Sequence, residues 1–589
     1  MSDTGMPAVA MTPRTGVFVL AAASLVYALL AQTVFPFGAD EALYIGAAKS
    51  MVSGAGYRAA GRALTLYPPG WPLLLTPVAA LSGGDYGWFA RYTAALIPLI
   101  LYVSWVLYSG RKERFRWWLV VALAASVPLF DVGTREVRSE IAFTVLTVGF
   151  LAWAERMAES RSAGWADSRI LGGTLLLLGS MATRTIGVAL LGAIVATGLH
   201  LAMTDRTRLR RYAQRMTVPA TVCLLYLLAW GRWSAAQMVE SYPGEPTVYA
   251  RWFWIRDARH PAAGTASLFE VLARIPDNVR IQASGAASML TNFGWIAPSW
   301  TSPLVVVSTV VLVAGLLEES RRPVPLLFWY VLGYMGVLCV WPFDEGARYL
   351  IPLLPLLGLL AVSGCRALAR AIALRPTRIV RLVSLVAALE LAAIARAALQ
   401  ESAGLGKQTL VALFIWSACL VVGFLRAFRL PVPGASEPRR IMNYSRAAYM
   451  AGYLVLGVVG IAKLTKFNVT GQLQLPGQPI RRVSDWIAAN APESSVVMAR
   501  QYGSLTLATH RRTVPFPLTS SIEVMGAAVR RQKPRFLVVV DSTAYEYYFP
   551  TEPERLTVIN KALGTPLRQR VRLEGATVYE FPQGEPVAP

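Results

Sequence analysis

A membrane-spanning helix needs roughly 20 consecutive apolar residues, and runs of that length recur along this chain. About 13 spans are predicted by that ruler. They centre on residues 16–34, 88–109, 116–133, 140–156, 170–183, 186–203, 217–235, 303–317, 324–341, 350–365, 382–398, 408–428 and 447–465. Arg184 interrupts the pair at 170–203, which reads as one long helix or as two turning at the outer face. The first run follows Arg14 and extends from Val17 to Phe35. It is too long for the apolar core of a signal peptide, so it is expected to be the first span.

Composition agrees with the spans. Of 589 residues, 55% are hydrophobic and 15% charged, which excludes a disordered chain, a coiled coil and an ordinary soluble enzyme. Lys+Arg is 57 against Asp+Glu 34, a net charge of +23. The excess falls in alternate loops: Arg111 to Arg116, Thr204 to Arg215, Glu318 to Pro323, Arg366 to Arg381 and Arg426 to Arg446. Positive loops stay cytoplasmic. The N-terminus is therefore expected inside and, after an odd number of spans, the C-terminus outside. Membrane lipids, and no nucleic acid, are the expected partners of this charge. The four cysteines, Cys223, Cys339, Cys365 and Cys419, sit in or beside apolar runs without metal-site spacing. They are expected to be small buried residues.

The opposite face carries the acids and the long loops, 35–87 and 236–302. It also carries a tail from about 466. The chain thus divides into a membrane domain, 1–465, and a small α/β domain, 466–589. In the tail, helices are expected at 481–490, 522–531 and 552–563, and strands at 495–499, 535–541 and 576–581. The continuously apolar strand Arg535 to Asp541 argues for burial between layers. Trp486, Tyr502 and Tyr545 to Phe549 could stack on sugars or fill the core. Trp252, Phe253, Trp254 and Trp295 of the second loop read as interfacial anchors or as lining for a lipid tail.

The chemistry concentrates where the first span ends. Asp40 and Glu41 open a short amphipathic stretch, Ala39 to Val52, suited to the interface. A carboxylate at that boundary can act as a general base, and equally can cap the helix. Next comes Tyr67-Pro68-Pro69-Gly70-Trp71-Pro72, where the prolines force an extended entry before a helix. Arg184 stands in a near-apolar context, Arg138 in the charge-dense loop Asp131 to Glu140 that begins a span, and Arg348 in Asp344 to Pro352 that opens another, all on the same face. Ionisable residues at membrane depth are costly and tend to be functional. Guanidinium groups converging near two acids could hold a phosphate leaving group. Arg135 is expected to pair with Asp131 at i,i+4, and Glu345 is a candidate partner for Arg348 at i,i+3. The outer-loop histidines, His260 and His510, suggest no metal site.

Four pieces together resemble a known family. They are Ala39-Asp40-Glu41 with Tyr44, the Tyr67 to Pro72 segment, Arg138-Ser139-Glu140 at the start of a span, and Arg348-Tyr349-Leu350-Ile351-Pro352. Their order, with the long first loop and the C-terminal outer domain, resembles the GT-C superfamily of polyprenyl-phosphate-sugar-dependent glycosyltransferases. The branch it is most similar to holds the protein O-mannosyltransferases and the aminoarabinose lipid A transferases. The resemblance implies a GT-C fold in a bacterial cytoplasmic (inner) membrane. It also implies inverting transfer of a sugar from a polyprenyl-phosphate donor to a hydroxyl on a glycan, lipid or protein acceptor.

In that family the first acid is the general base, which maps to Asp40, with Glu41 supporting it. Arg138, Arg184, Arg348 and Tyr349 would bind the donor phosphate, and Tyr44, Tyr67 and Glu140 the substrate. Tyr67 stands where family members often have lysine, and Glu140 where they often have aspartate. Assistance by a divalent metal is left open. A lipid flippase or transporter is a rival, though it would place charges near the midplane and show related halves. A non-catalytic envelope-assembly protein is another, and it would leave Asp40 dispensable.

Overall fold

The computed structural model describes residues 13–31, 39–83, 85–113, 115–159, 168–257, 263–292, 303–343, 346–374, 453–466 (except 455 and 463), 478–540 and 552–582. Helices α1 (Pro13–Leu30) and α2 (Ala39–Val52) open the chain, and a hairpin of β1 (Arg58–Ala59) and β2 (Arg62–Ala63) follows. Then come α3 (Gly70–Leu81), α4 (Gly87–Ala95), α5 (Ile97–Gly110), α6 (Arg116–Ala124), α7 (Val127–Arg135), α8 (Ser139–Glu159) and α9 (Ser168–Thr183). Beyond a 3₁₀ turn at Thr185–Gly187 lie α10 (Val188–Thr204) and α11 (Arg206–Ala236). The second outer segment holds α12 (Tyr249–Phe253), α13 (Leu268–Ala273) and α14 (Ile275–Thr291). After α15 (Pro303–Ser320) and α16 (Leu326–Val340), a 3₁₀ helix at Gly346–Leu353 leads into α17 (Leu354–Leu374).

Among the described residues, four helical stretches are long and apolar enough to cross a membrane: Gly87–Gly110, Ser139–Ala158, Thr185–Thr204 and Arg348–Leu368. The α6–α7 pair makes a fifth if its 48° bend is counted as one span. Sequence reading expects an unbroken helix over 116–133. The break occurs at Ala125–Ser126, where the Ser126 hydroxyl caps α7 by accepting from the Leu129 N–H and Pro128 occupies the first turn. Asn292 stitches the break. Its carbonyl oxygen accepts from the Val127 N–H at 2.8 Å and its amide donates to the Ala125 carbonyl at 2.8 Å. The pair at 170–203 resolves into two helices turning at Arg184. The basic stretch 204–215, expected as a loop, is helical from Arg206 and continuous with its span, because Asp205 caps it by accepting from the Arg208 N–H at 3.0 Å. The expected spans 382–398 and 408–428 and part of 447–465 lie outside the described residues. So do Cys419, His260, Trp295 and Tyr545 to Phe549.

Close helix packing relies on missing side chains. A Cβ at Gly364 of α17 would lie 1.9 Å from the Val311 carbonyl oxygen of α15, and one at Gly315 would lie 2.0 Å from that of Leu360. Such small-residue contacts replace hydrophobic driving force between membrane helices. Cys365 is exposed rather than buried, whereas Cys223 is buried as expected. Cys365 adjoins Gly364 but projects from a different face of α17.

The described residues of 478–540 and 552–580 form a three-layer unit. Helix α18 (Gln478–Asn490) precedes β3 (Val496–Ala499), and α19 (Tyr502–Thr509) precedes β4 (Arg512–Pro515). They are followed by α20 (Ile522–Gln532), β5 (Phe536–Val540), α21 (Glu552–Leu563), β6 (Arg568–Leu573) and β7 (Ala576–Glu580). The sheet order is β4-β3-β5-β7-β6. The first three strands are parallel, and β7 runs antiparallel to β5 and β6. All five residues of β5 are buried. Leu537 and Val539 face Met525 of α20 and Ile559 of α21, while Val538 and Val540 face Ile480 and Val483 of α18. Two-sided burial is what a continuous apolar strand requires. Both edge strands escape sequence detection: β4 ends in Pro515, and β6 carries Arg568, Arg570 and Arg572. Proline and charge are ordinary edge devices.

Candidate functional site

Four distant segments meet at one end of the helical bundle. The first turn of α2 carries Asp40 and Glu41, acids placed at the positive end of a helix. The loop between α7 and α8 carries Glu136 and Arg138, and Glu140 stands in the first turn of α8. Arg184 is extended (φ −146°, ψ 135°) between α9 and its 3₁₀ turn, so its side chain leaves the helix axis and crosses to α8. Arg348 lies in the 3₁₀ helix before α17. Two contacts hold this frame. A Cβ at Gly70 would lie 2.5 Å from the Ala182 carbonyl group, so glycine alone lets α3 abut the end of α9. Trp71 donates its indole N–H to the Val137 carbonyl at 3.4 Å.

Asp40 Oδ2 lies 3.2 Å from Arg138 Nη1 and 3.0 Å from Arg348 Nη2. The Tyr67 hydroxyl donates to Asp40 Oδ1 at 2.5 Å. Arg348 also pairs with Glu140 through Nε. Arg184 Nη1 reaches Glu140 Oε1 at 2.8 Å and donates to Ser139 Oγ at 3.0 Å. Arg138 pairs with Glu136 and lies 3.4 Å from Glu41 Oε1. The Tyr349 ring lies 5.8 Å from both Arg184 and Arg348. The edge of Tyr44 meets Tyr67 at 4.9 Å. All nine residues singled out in the sequence thus gather in one cluster. Glu140 is fully buried, but the Asp40 side chain is 24% exposed and reachable from outside.

Burial pushes the Asp40 carboxyl up, but Arg348 and Arg138, with the Tyr67 hydrogen bond, outweigh it and hold the group below the usual carboxylate range. Glu41 goes the other way. Burial, only partly offset by Arg138, raises it to about 8. Adjacent acids therefore sit in opposite protonation states at neutral pH. Asp131 pairs with Arg135 at 2.7 Å, as its spacing suggests. Glu345, the i,i+3 candidate for Arg348, lies outside the described residues.

The donor set does not fit a divalent cation. Each carboxylate at the site faces a guanidinium, and no group of three metal-donor side chains converges among the described residues.

Sequence reasoning misses Tyr249. It packs edge-on against Tyr67 at 6.0 Å and against Trp341 at 5.8 Å, walling the side of the cluster. Only its position in an aromatic-rich loop hinted at it. Trp486 packs on Phe536 at 5.9 Å as part of the sheet unit's core.

The helical bundle, with spans long and apolar enough to cross a membrane and a charged cluster at one end, defines a polytopic membrane fold. No family model matches the sequence, and no curated protein matches it. The chain is similar to the structure of ArnT from Cupriavidus metallidurans bound to undecaprenyl phosphate. That likeness has a TM-score of 0.55 at 16% identity and covers 96% of this chain and 98% of that one. It is also similar to the archaeal oligosaccharyltransferase AglB from Archaeoglobus fulgidus in complex with an inhibitory peptide and a dolichol-phosphate. Here the TM-score is 0.52 at 12% identity, over 96% of this chain and 74% of that one. Both are GT-C superfamily members, and this chain has the GT-C membrane fold.

Proposed function

We propose that the protein is a membrane glycosyltransferase. It moves a hexose or pentose from a polyprenyl-phosphate donor to an acceptor hydroxyl, with inversion, at the outer face of a bacterial cytoplasmic membrane. The carrying observation is Asp40, partly exposed and set between Arg138 and Arg348. The likeness to structures holding undecaprenyl phosphate and dolichol-phosphate supports a donor of that lipid class. In this reading the chain crosses the membrane about 13 times, with the N-terminus cytoplasmic and the sheet unit extracytoplasmic.

Asp40 takes the proton from the acceptor hydroxyl as its oxygen attacks the anomeric carbon. The bond from that carbon to the phosphate oxygen breaks, and the electron pair leaves with the lipid phosphate. Arg138, Arg184 and Arg348 stabilise the charge that develops there, and Tyr349 keeps the latter two in place. A guanidinium drawn toward phosphate leaves Asp40, which then becomes a stronger base. Glu41, protonated at neutral pH, adds no further negative charge to the Asp40 and Glu136 carboxylates already against Arg138. Glu140 Oε2 is buried without a hydrogen-bond partner among the described residues, and it suits a sugar hydroxyl.

The test is transfer of labelled sugar from polyprenyl-phosphate donors in membrane vesicles of both orientations. Asp40→Asn is expected to lower the rate by about 10²- to 10⁴-fold, and activity is expected only where the outer face meets the acceptor. Full activity of Asp40→Asn would remove the assignment.

A further inference from the structure

The β1–β2 hairpin turns through Ala60 (φ 49°) and Gly61 (φ 79°), the backbone of a tight two-residue connection. The turn brings Arg62 back over the outer mouth. Its Nη1 donates to Ser241 Oγ at 2.9 Å and pairs with Glu245 Oε1 at 2.8 Å, while Nη2 donates to the Tyr502 hydroxyl at 2.9 Å. One guanidinium therefore joins three segments: the first outer loop, the second outer loop and the first residue of α19. The Arg62 side chain is 25% exposed and that of Glu245 9%, so the pair is better shielded than a surface ion pair.

Each partner is anchored further. Tyr242, from the second outer loop, is buried in the core of the sheet unit beside Phe516 and Met525. Gln532 of α20 donates to the Ser241 carbonyl at 3.0 Å. The Tyr86 hydroxyl donates to the Leu507 carbonyl of α19 at 2.9 Å. Helix α19 lies on α2 itself, where a Cβ at Gly503 would be 3.3 Å from Ala42 Cβ.

The same two loops lead from Arg62 to the reacting carboxylate. Thr65 donates to the Thr247 carbonyl at 3.0 Å, joining them midway. Two residues beyond Thr65, Tyr67 gives its hydroxyl to Asp40. Two residues beyond Thr247, Tyr249 packs on Tyr67.

We infer that Arg62 is a positioning residue of the transfer site: it ties the C-terminal sheet unit to the segments carrying Tyr67 and Tyr249, and so sets the orientation of Asp40. The sheet unit thereby acts on the geometry of the reaction. The inference rests on the glycosyl-transfer reading for its kinetic readout and on contacts alone for its structural one.

The test uses full-length protein and three variants. Tyr502→Phe removes one hydroxyl, Arg62→Met removes all three contacts of the guanidinium, and Arg62→Lys keeps a charge that reaches fewer partners. Hydrogen exchange of peptides spanning 57–67 and 247–249 is measured beside donor and acceptor kinetics. Exchange is expected to quicken in both segments for Tyr502→Phe and Arg62→Met. The kcat is expected to fall by about 10- to 100-fold with KM unchanged, and Arg62→Lys to recover part of it. Should Arg62→Met fail to fold, the mild Tyr502→Phe carries the test. Unchanged exchange in the folded variants overturns the inference. A loss confined to acceptor KM also overturns it, because the sheet unit then contacts the acceptor directly. A wild-type chain that transfers no sugar, yet whose variants loosen 57–67, upholds the tie and overturns the glycosyl-transfer reading.

Discussion

Glu41 offers a test of the site's electrostatics at the level of a single group. Its carboxyl moves from an ordinary 4.5 to about 8 on folding. Between those values the folded chain keeps a proton that the unfolded chain releases, so stability falls as pH rises through that window. Above 8 the new negative charge competes with donor phosphate for Arg138. Glu41→Gln should abolish this window. Thermal unfolding in detergent at pH 5 and pH 8 should show a smaller difference for the variant than for the wild type, and donor KM should stop rising above pH 8. Equal pH dependence in both proteins would show that Glu41 is already ionised. Arg184 was legible because it interrupts an apolar run, where a charge is expensive, and Asp40, Arg138 and Arg348 because each stands where the chain meets the end of an apolar span. Arg62 and Tyr249 were not, because a cation or an aromatic in a polar loop costs nothing and stands out from nothing. Their importance comes from partners far away in the chain, 179 and more residues for Arg62.

The helices show what hydropathy can and cannot see. It locates apolar length, so the runs at 88–109, 140–156, 186–203 and 350–365 reappear as helices long enough to cross. It does not see breaks repaired by tertiary contacts. The α6–α7 bend depends on Asn292, whose amide supplies the hydrogen bonds that the kinked backbone loses. Nor does it see how closely two helices approach. The α15–α17 contact has no room for a methyl group at Gly364 or Gly315. Gly364→Ala should destabilise the protein by about 1–3 kcal/mol through this overpacking, measured by denaturant unfolding in detergent. An unchanged midpoint would mean that the two helices separate at no cost. In the sheet unit, β5 was legible because two-sided burial leaves an unbroken apolar run. The edge strands β4 and β6 were hidden by the proline and arginines that keep such edges from pairing with another chain.

Among the described residues of the helical bundle, two groups of buried ion pairs stand apart. One is the cluster around Asp40. The other, at the far ends of the same helices, joins Arg111 to Glu155 and Glu319, and Arg366 to Glu113. Arg348, in its 3₁₀ helix, and Arg366, in α17, are eighteen residues apart, about 30 Å along that path, close to the thickness of a hydrocarbon core. Apolar packing lies between the two groups. At the Asp40 cluster, Arg138, Arg184 and Arg348 each already have a carboxylate of the chain against them. A small anion arriving from water finds no vacant cation and must displace an internal partner unaided. An amphiphile brings a hydrocarbon tail whose insertion between the helices can meet that expense. Inorganic phosphate should therefore leave transfer untouched at millimolar levels, whereas a short-chain polyprenyl phosphate inhibits it at far lower ones. Equal inhibition by both would mean the lip is open to any phosphate. In the proposed reaction, a mouth lined by its own counter-ions favours ligands that come by way of the lipid over those that come by way of a phosphate-rich medium.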